Sequence, residues 1–241
     1  MGLKLLWRGV LACACLVSAG LQAAPLEVLT EDSPPFSMLN SDGKVTGLST
    51  EIVEELFKRA GVDYRISLLP WKRAYVRTRN TANTALYSTT RTPERELLFK
   101  WVGPLVTSHW ALFASPDSPL RITELNAAKE YPVGGYEGDA LARYLWTQGF
   151  TQLKLVHSER ENLKRLEDGS IKLWASGEHL APYIAQQEGV AAPKMLFTFR
   201  EVQMSLAFNK STPDELINKL NATLDVMRKE GVIDALRKKY Q

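Results

Sequence analysis

Two series of alternating strands and helices, linked by two extended apolar pieces, predict an α/β protein. The first series covers residues 26–88 and the second covers 132–199. The extended piece 110–114 joins the two series, and a second piece, 203–209, leads to the C-terminal helices. This pattern fits two lobes with a double hinge. Periodicity alone does not distinguish it from one doubly wound domain.

Residues 1–23 read as a cleavable secretory leader. Lys4 and Arg8 supply a positive start, Gly9 to Gly20 an apolar run, and Ala23 a small residue at the cut. The alternative, a membrane anchor, needs roughly 20 apolar residues, and the run is shorter. A second alternative is a lipid anchor at Cys13, since Val10-Leu11-Ala12-Cys13 loosely resembles a lipobox. Cys13 and Cys15 both lie in the leader, so the mature chain is expected to carry neither thiol nor disulfide. Losing Lys4 and Arg8 takes the 30 basic residues to 28 against 27 acidic ones, a net charge of +1. The sequence pI near 8.8 is a small imbalance and gives no reason to expect a nucleic-acid partner.

The elements follow in order. Residues 26–30 form a short apolar strand that ends at Glu31, Asp32 and Ser33. Ser49 or Thr50 can cap a helix, with Ile52, Val53, Leu56, Phe57 and Ala60 at helical spacing and Gly61 as its stop. Residues 64–69 are a strand, a helix starts near Trp71, and 85–88 is the next strand. Thr92, Pro93 and Arg95 read as the cap, start and first turn of another helix. In the second series 132–136, 153–156 and 171–174 are strands, while 139–147, 159–167 and 180–187 are helices. Residues 194–199 close it. Thr212, Pro213 and Glu215 form a capping box before a helix whose stripe is Leu216, Leu220, Leu224 and Met227.

Three stretches together resemble the bacterial extracellular solute-binding proteins, family 3, which serve amino-acid ABC transporters. The first is Glu31-Asp32-Ser33-Pro34-Pro35-Phe36, followed by Asp42-Gly43-Lys44-Val45-Thr46-Gly47 and a helix. The second is Ser88-Thr89-Thr90-Arg91-Thr92-Pro93-Glu94-Arg95 with Phe99 and Gly103-Pro104. The third is the tail from Asn209-Lys210 through Gly231 to Lys239-Tyr240. The resemblance implies the type II periplasmic-binding-protein fold, with lobes of 24–112 plus 204–241 and of 113–203. It also implies a periplasmic protein that binds a small-molecule ligand by hinge closure and delivers it to an ABC transporter permease. A monomer is expected, because no apolar stripe is left over once two lobes are built.

Arg95 is the leading ligand-binding candidate. A cation in a first helical turn opposes the helix dipole, and a bound anion reverses that penalty. The guanidinium fork also matches a carboxylate. The resemblance implies that Arg95 grips the ligand's carboxylate and that Thr90 and Ser88 contact its head group. The alternative is a local ion pair with Glu94 or Glu96. Phe36, Trp71, Tyr136 and Trp174 fall near strand ends and can wall an apolar cleft or simply pack in a core. Trp101 and Trp110 are expected in the core or hinge.

Glu31 follows the first strand. Asp139 fits either a helix cap or a ligand contact. In the family an Asp after the strand matching 171–174 pairs with the ligand's ammonium. Here the position falls near Gly177, with Glu178 next to it. Either Glu178 or Asp139 supplies the charge, or the ligand lacks an ammonium. His109, His157 and His179 show no metal-ligand spacing, and no cofactor motif or catalytic constellation stands out. Two other functions stay open: an enzyme on the same fold resembling cyclohexadienyl dehydratase, and a ligand sensor for a signalling partner.

Overall fold

A computed structural model describes residues 24–240. The stretch read as a leader, residues 1–23, and with it both cysteines lie outside that range. Among the described residues no helix is long and apolar enough to cross a membrane.

The N-terminal half contains β1 (Leu26–Thr30), β2 (Met38–Leu39), β3 (Val45–Thr46), α1 (Leu48–Ala60), β4 (Tyr64–Leu68), α2 (Trp71–Asn80), β5 (Thr84–Thr90), α3 (Pro93–Glu96) and β6 (Lys100–Ala114). A 3-10 turn at Asn126–Glu130 precedes β7 (Val133–Tyr136), α4 (Ala140–Thr147), β8 (Leu153–Val156), α5 (Glu159–Glu167), β9 (Leu173–Gly177) and α6 (Leu180–Glu188). The chain ends with β10 (Lys194–Phe208), α7 (Asp214–Lys229) and α8 (Val232–Arg237).

Eight strands form one sheet in the order β4-β1-β5-β10-β6-β9-β7-β8. The β4-β1-β5 and β9-β7-β8 sets are each parallel, and the long strands β10 and β6 run antiparallel between them. The pieces expected at 194–199 and 203–209 are therefore a single strand. Register shifts at Met195/Phe197, Thr198/Arg200 and Met204/Leu206 break its alternation, and exposed Arg200, Glu201 and Gln203 interrupt its apolar run. Such bulges let a strand bend as it passes from one set of neighbours to another.

Packing separates the two halves. One core gathers Val28, Ile52, Leu56, Phe57, Leu206, Leu220 and Leu224, all with no exposed surface. The other gathers Leu112, Val133, Leu145 and Leu173 around a different set of helices. Strand β6 serves both, with Val102 and Val106 in the first core and Leu112 and Ala114 in the second. In a single doubly wound domain each hydrophobic layer would run along the whole sheet, whereas here the first cluster draws on β1, β5 and α1 and the second on β7, β9 and α4. At roughly 2 kcal/mol per fully buried aliphatic side chain, each half has its own hydrophobic support.

Two expected caps are corrected. Helix α1 begins at Leu48, so Thr50 lies within its first turn, where its hydroxyl bonds back to the Thr46 carbonyl at 3.0 Å. The entry is set by Gly47 at φ 121°, where a Cβ would lie 2.5 Å from the Phe36 carbonyl oxygen. Helix α7 begins at Asp214, one residue later than the capping box requires, and the buried Thr212 hydroxyl makes no side-chain cap. Asn209 organises this corner instead, donating to the carbonyls of Thr78 and Arg79 and accepting from the Ser211 N–H.

Candidate functional site

The strands β1, β5, β7 and β8 all end at one cleft, where open α/β sheets place their ligands. Their ends bring Glu31, Ser88, Thr90, Tyr136 and Glu159 around a cavity of about 330 Å³. A larger chamber of about 1110 Å³ adjoins it, and Thr90, Trp110 and Asp139 line both.

Arg95 stands on the larger chamber's wall, 8% exposed. Its Nη1 donates to the Thr90 carbonyl at 3.1 Å. Its guanidinium carbon lies 4.8 Å from the Trp71 ring centre and 5.3 Å from that of Tyr75. Such cation–π contacts favour a partly desolvated charge. Burial lowers its pKa, opposed by the fields of Asp139, Tyr75, Glu31 and Glu94; an arginine so placed stays charged. No carboxylate among the described residues lies within 4.0 Å of it. The local pair expected with Glu96 belongs to Arg91, whose Nε donates to Glu96 at 2.7 Å. Thr92 occupies the cap position of the single-turn helix α3 but makes no side-chain cap bond to its backbone.

Ser88 is held at φ 56°, a left-handed conformation uncommon for a residue with a Cβ. Its hydroxyl is sealed from solvent and has no hydrogen-bond partner. Phe36 lines the smaller cavity and meets His179 edge-on with ring centres 6.3 Å apart. Trp71 donates from its indole to the Gly138 carbonyl at 3.0 Å, tying the N-terminal half to the loop before α4.

Carboxyl groups dominate the opposite wall. Asp139 fills both expected positions, because it caps α4 by accepting from the Ala140 N–H at 2.5 Å and also lines both cavities. Burial raises its pKa, offset by the Arg95 field and the N–H groups of Ala140 and Leu141. Glu159, which the sequence analysis placed only in a helix, accepts from Trp174 Nε1 and Asn162 Nδ2, both at 2.8 Å. Burial still pushes it up to about 7. Glu31 is raised well above the usual carboxylate range by burial, then by the charges of Asp139 and Glu159. Burial and the same three acids push Tyr136 up to about 12. Asp32 and Arg160 also line the cavity, and burial raises Asp32 against the Arg160 field.

Three candidates fall outside the cavity lining, Trp71 among them, since it lies beneath Arg95 rather than on the surface of either cavity. Trp174 has no exposed surface and packs on Phe113 at a ring distance of 6.3 Å, because its strand position faces the α5–α6 layer. It reaches the site only through Glu159. Glu178 turns to the hinge, where Oε1 accepts from the His109 N–H at 3.1 Å and lies 2.8 Å from His109 Nδ1. Trp110, expected in core or hinge, is buried but lines both cavities. A signal for Glu159 was present: it follows a strand end and opens a helix, as Arg95 does. Among the described residues no group of three or more His, Cys, Asp or Glu could hold a metal ion.

Two lobes on a pair of shared antiparallel strands, with a charged cavity at their facing strand ends, define the periplasmic-binding-protein class. The chain belongs to the bacterial extracellular solute-binding proteins, family 3, whose model matches residues 26–241. Among solved structures it is similar to a histidine kinase sensor domain with similarity to periplasmic binding proteins. That match has 19% identity, covers 90% of this chain and 95% of the other, and has a TM-score of 0.83. It is also similar to an ancestral arginine-binding protein bound to arginine, at 20% identity, 90% and 97% coverage and TM-score 0.79. A third is an ancestral amino acid-binding protein that is a precursor of cyclohexadienyl dehydratase, at 21% identity, 90% and 94% coverage and TM-score 0.77. At these identities the likeness shows the fold. No curated protein matches the chain.

Proposed function

We propose that this protein captures an amino acid or a related carboxylate-bearing solute in the periplasm and hands it to an ABC transporter permease without changing it. The lobes are 24–112 plus 204–241 and 113–203, and the hinge runs through β6 and β10. The carrying observation is Arg95: a buried guanidinium with five N–H donors, one protein hydrogen bond and no carboxylate partner within reach. A ligand carboxylate satisfies it. Asp139 lines the same chamber as Arg95, Glu31 and Glu159 line the smaller cavity that adjoins it, and all three suit an ammonium, so Asp139 and Glu159 replace Glu178 as the acids of the second lobe. Closure is favoured because only the closed form lets both walls touch the solute. The protein works as a monomer.

Thermal shift of the mature protein with amino acids and small carboxylates, beside Arg95→Ala, tests this. A ligand at about 100 times its dissociation constant adds roughly 2.7 kcal/mol of stability. A shift lost in Arg95→Ala supports the site, and a shift that survives the substitution overturns it.

One observation favours a second function, an enzyme on this fold. Glu159 near 7 is poised for proton transfer at neutral pH. Turnover of prephenate-like acids by wild type, abolished in Glu159→Gln, would establish it. Resemblance to a kinase sensor domain leaves a signalling partner as the other reader of the closed form. Pull-down of a permease or a membrane sensor by the liganded protein separates these two.

A further inference from the structure

The two chambers carry opposite charge. The smaller one holds Glu31, Asp32, Asp139 and Glu159 against Arg160. The larger holds Arg91, Arg95, Arg143 and Arg200 against Glu94, Glu201 and the shared Asp139. Arg91 is committed to Glu96, and Glu201 lies 3.7 Å from His109. Arg143 and Arg200 make no ion pair within 4.0 Å among the described residues. Arg143 reaches Glu94 only through its field.

Arg200 is not loose in solvent. Its guanidinium carbon lies 4.4 Å from the Tyr144 ring centre and 5.8 Å from that of Trp110. Tyr144 in turn stacks on Phe199 at an interplanar angle of 9°. A stacked guanidinium keeps its edge free to bond a carboxylate while its face is covered. Trp146, 70% exposed, adds apolar surface to the same chamber. The chamber opens directly onto the smaller cavity through Thr90, Trp110 and Asp139.

We propose that the outer chamber is a second ligand subsite, in which Arg143 and Arg200 take an acidic tail. The solute is then longer than a free amino acid, with an ammonium at the inner acids, one carboxylate at Arg95 beside the Thr90 junction and a second carboxylate farther along the outer chamber at Arg143 and Arg200. A short peptide ending in an acidic residue has this chemistry. The proposal rests on the solute-binding function given above and adds the length and charge of the solute.

Titration calorimetry of the mature protein with glycylglycine, glycylglutamate and free glutamate tests it. Glycylglutamate is expected to bind at least about tenfold tighter than either of the others, as one added charge-assisted bond allows. In Arg143→Ala/Arg200→Ala, glycylglutamate falls to the affinity of glycylglycine, while glycylglycine is unchanged. Both arginines are exposed, so the variant is expected to fold, and its melting temperature checks that. An equal affinity for the two dipeptides, or a preference that survives the double substitution, overturns the subsite. Absence of binding by all three overturns the proposed solute class. Arg95→Ala separates the two ideas: it weakens both dipeptides if the carboxylate contact at Arg95 is right and neither if it is wrong, whatever Arg143 and Arg200 do.

Discussion

The two walls of the cleft handle charge in opposite ways. On the N-terminal lobe one cation is desolvated against aromatic faces, and its field is balanced from a distance by acids across the gap. On the other lobe the carboxyls sit on helix N-termini and hydrogen-bond donors, yet burial still holds Asp139 and Glu159 above their usual range. The Arg95 wall keeps its charge and waits for a partner. The acid wall is reluctant to ionise until a cation arrives. A cleft with both properties favours a solute that brings a carboxylate to one wall and an ammonium to the other.

The largest expected effect is on the arginine wall. Arg95→Ala is expected to weaken a carboxylate ligand by about a hundredfold or more, since two charge-assisted bonds are lost. Arg95→Lys is expected to recover little, because an ammonium cannot present the fork or stack flat on Trp71 and Tyr75. Calorimetry with the three proteins checks both statements. Full recovery by lysine would mean that charge alone matters on this wall.

The acid wall is sharpened by pH. Glu159 moves from an ordinary value of 4.5 in the unfolded chain to about 7 in the fold. The folded state therefore holds its proton more tightly, and the resulting stability is complete below pH 4.5 and lost as pH rises through 7. Glu159→Gln mimics the protonated form and is expected to remove that slope. Its melting temperature should pull above that of wild type by about 10 °C between those limits in the absence of ligand. An ammonium ligand reverses the trend, because it favours the ionised carboxyl, so wild-type affinity rises through the same window while the variant stays flat. Parallel melting curves for the two proteins would place Glu159 outside the buried cluster.

The walls also differ in how far a linear sequence reveals them. The Arg95 wall is local: Ser88, Thr90 and Arg95 lie on one strand end and the turn after it, so a short pattern names them together. Trp71 was found as an aromatic after a strand, although its indole bond to Gly138 was not visible. The acids come from three distant segments: Glu31 follows β1 in the N-terminal half, Asp139 and Glu159 follow β7 and β8 in the other, and only the facing of these two parallel sets across the cleft brings them together. Trp174 shows the same limit. Its strand was legible, but which face it presents depends on where β9 ends, and it ends at Gly177 rather than at Trp174. The halves of β10 were read separately because its bulges break the alternation on which strand recognition depends.

Trp71→Phe probes the link between the walls. The ring remains under Arg95, while the hydrogen bond to Gly138 across the cleft is lost. A single such bond is worth about 1 kcal/mol, so affinity should fall about fivefold and small-angle scattering should report a more open average shape. A fall in affinity with no change in shape would mean that the indole bond serves the site without holding the lobes together.

The smallest effect separates the two acids that sequence reasoning could not rank. Glu178 is spent on His109 at the hinge, and Glu159 faces the cavity. Glu178→Gln keeps an oxygen that can accept from the His109 N–H, and a partly exposed pair of this kind contributes about 0–1 kcal/mol. Ligand affinity should therefore stay within about twofold of wild type, against a loss of about tenfold or more for Glu159→Gln with an ammonium ligand. The reverse order would return the ammonium contact to the end of β9 and leave Glu159 as a buttress for Trp174.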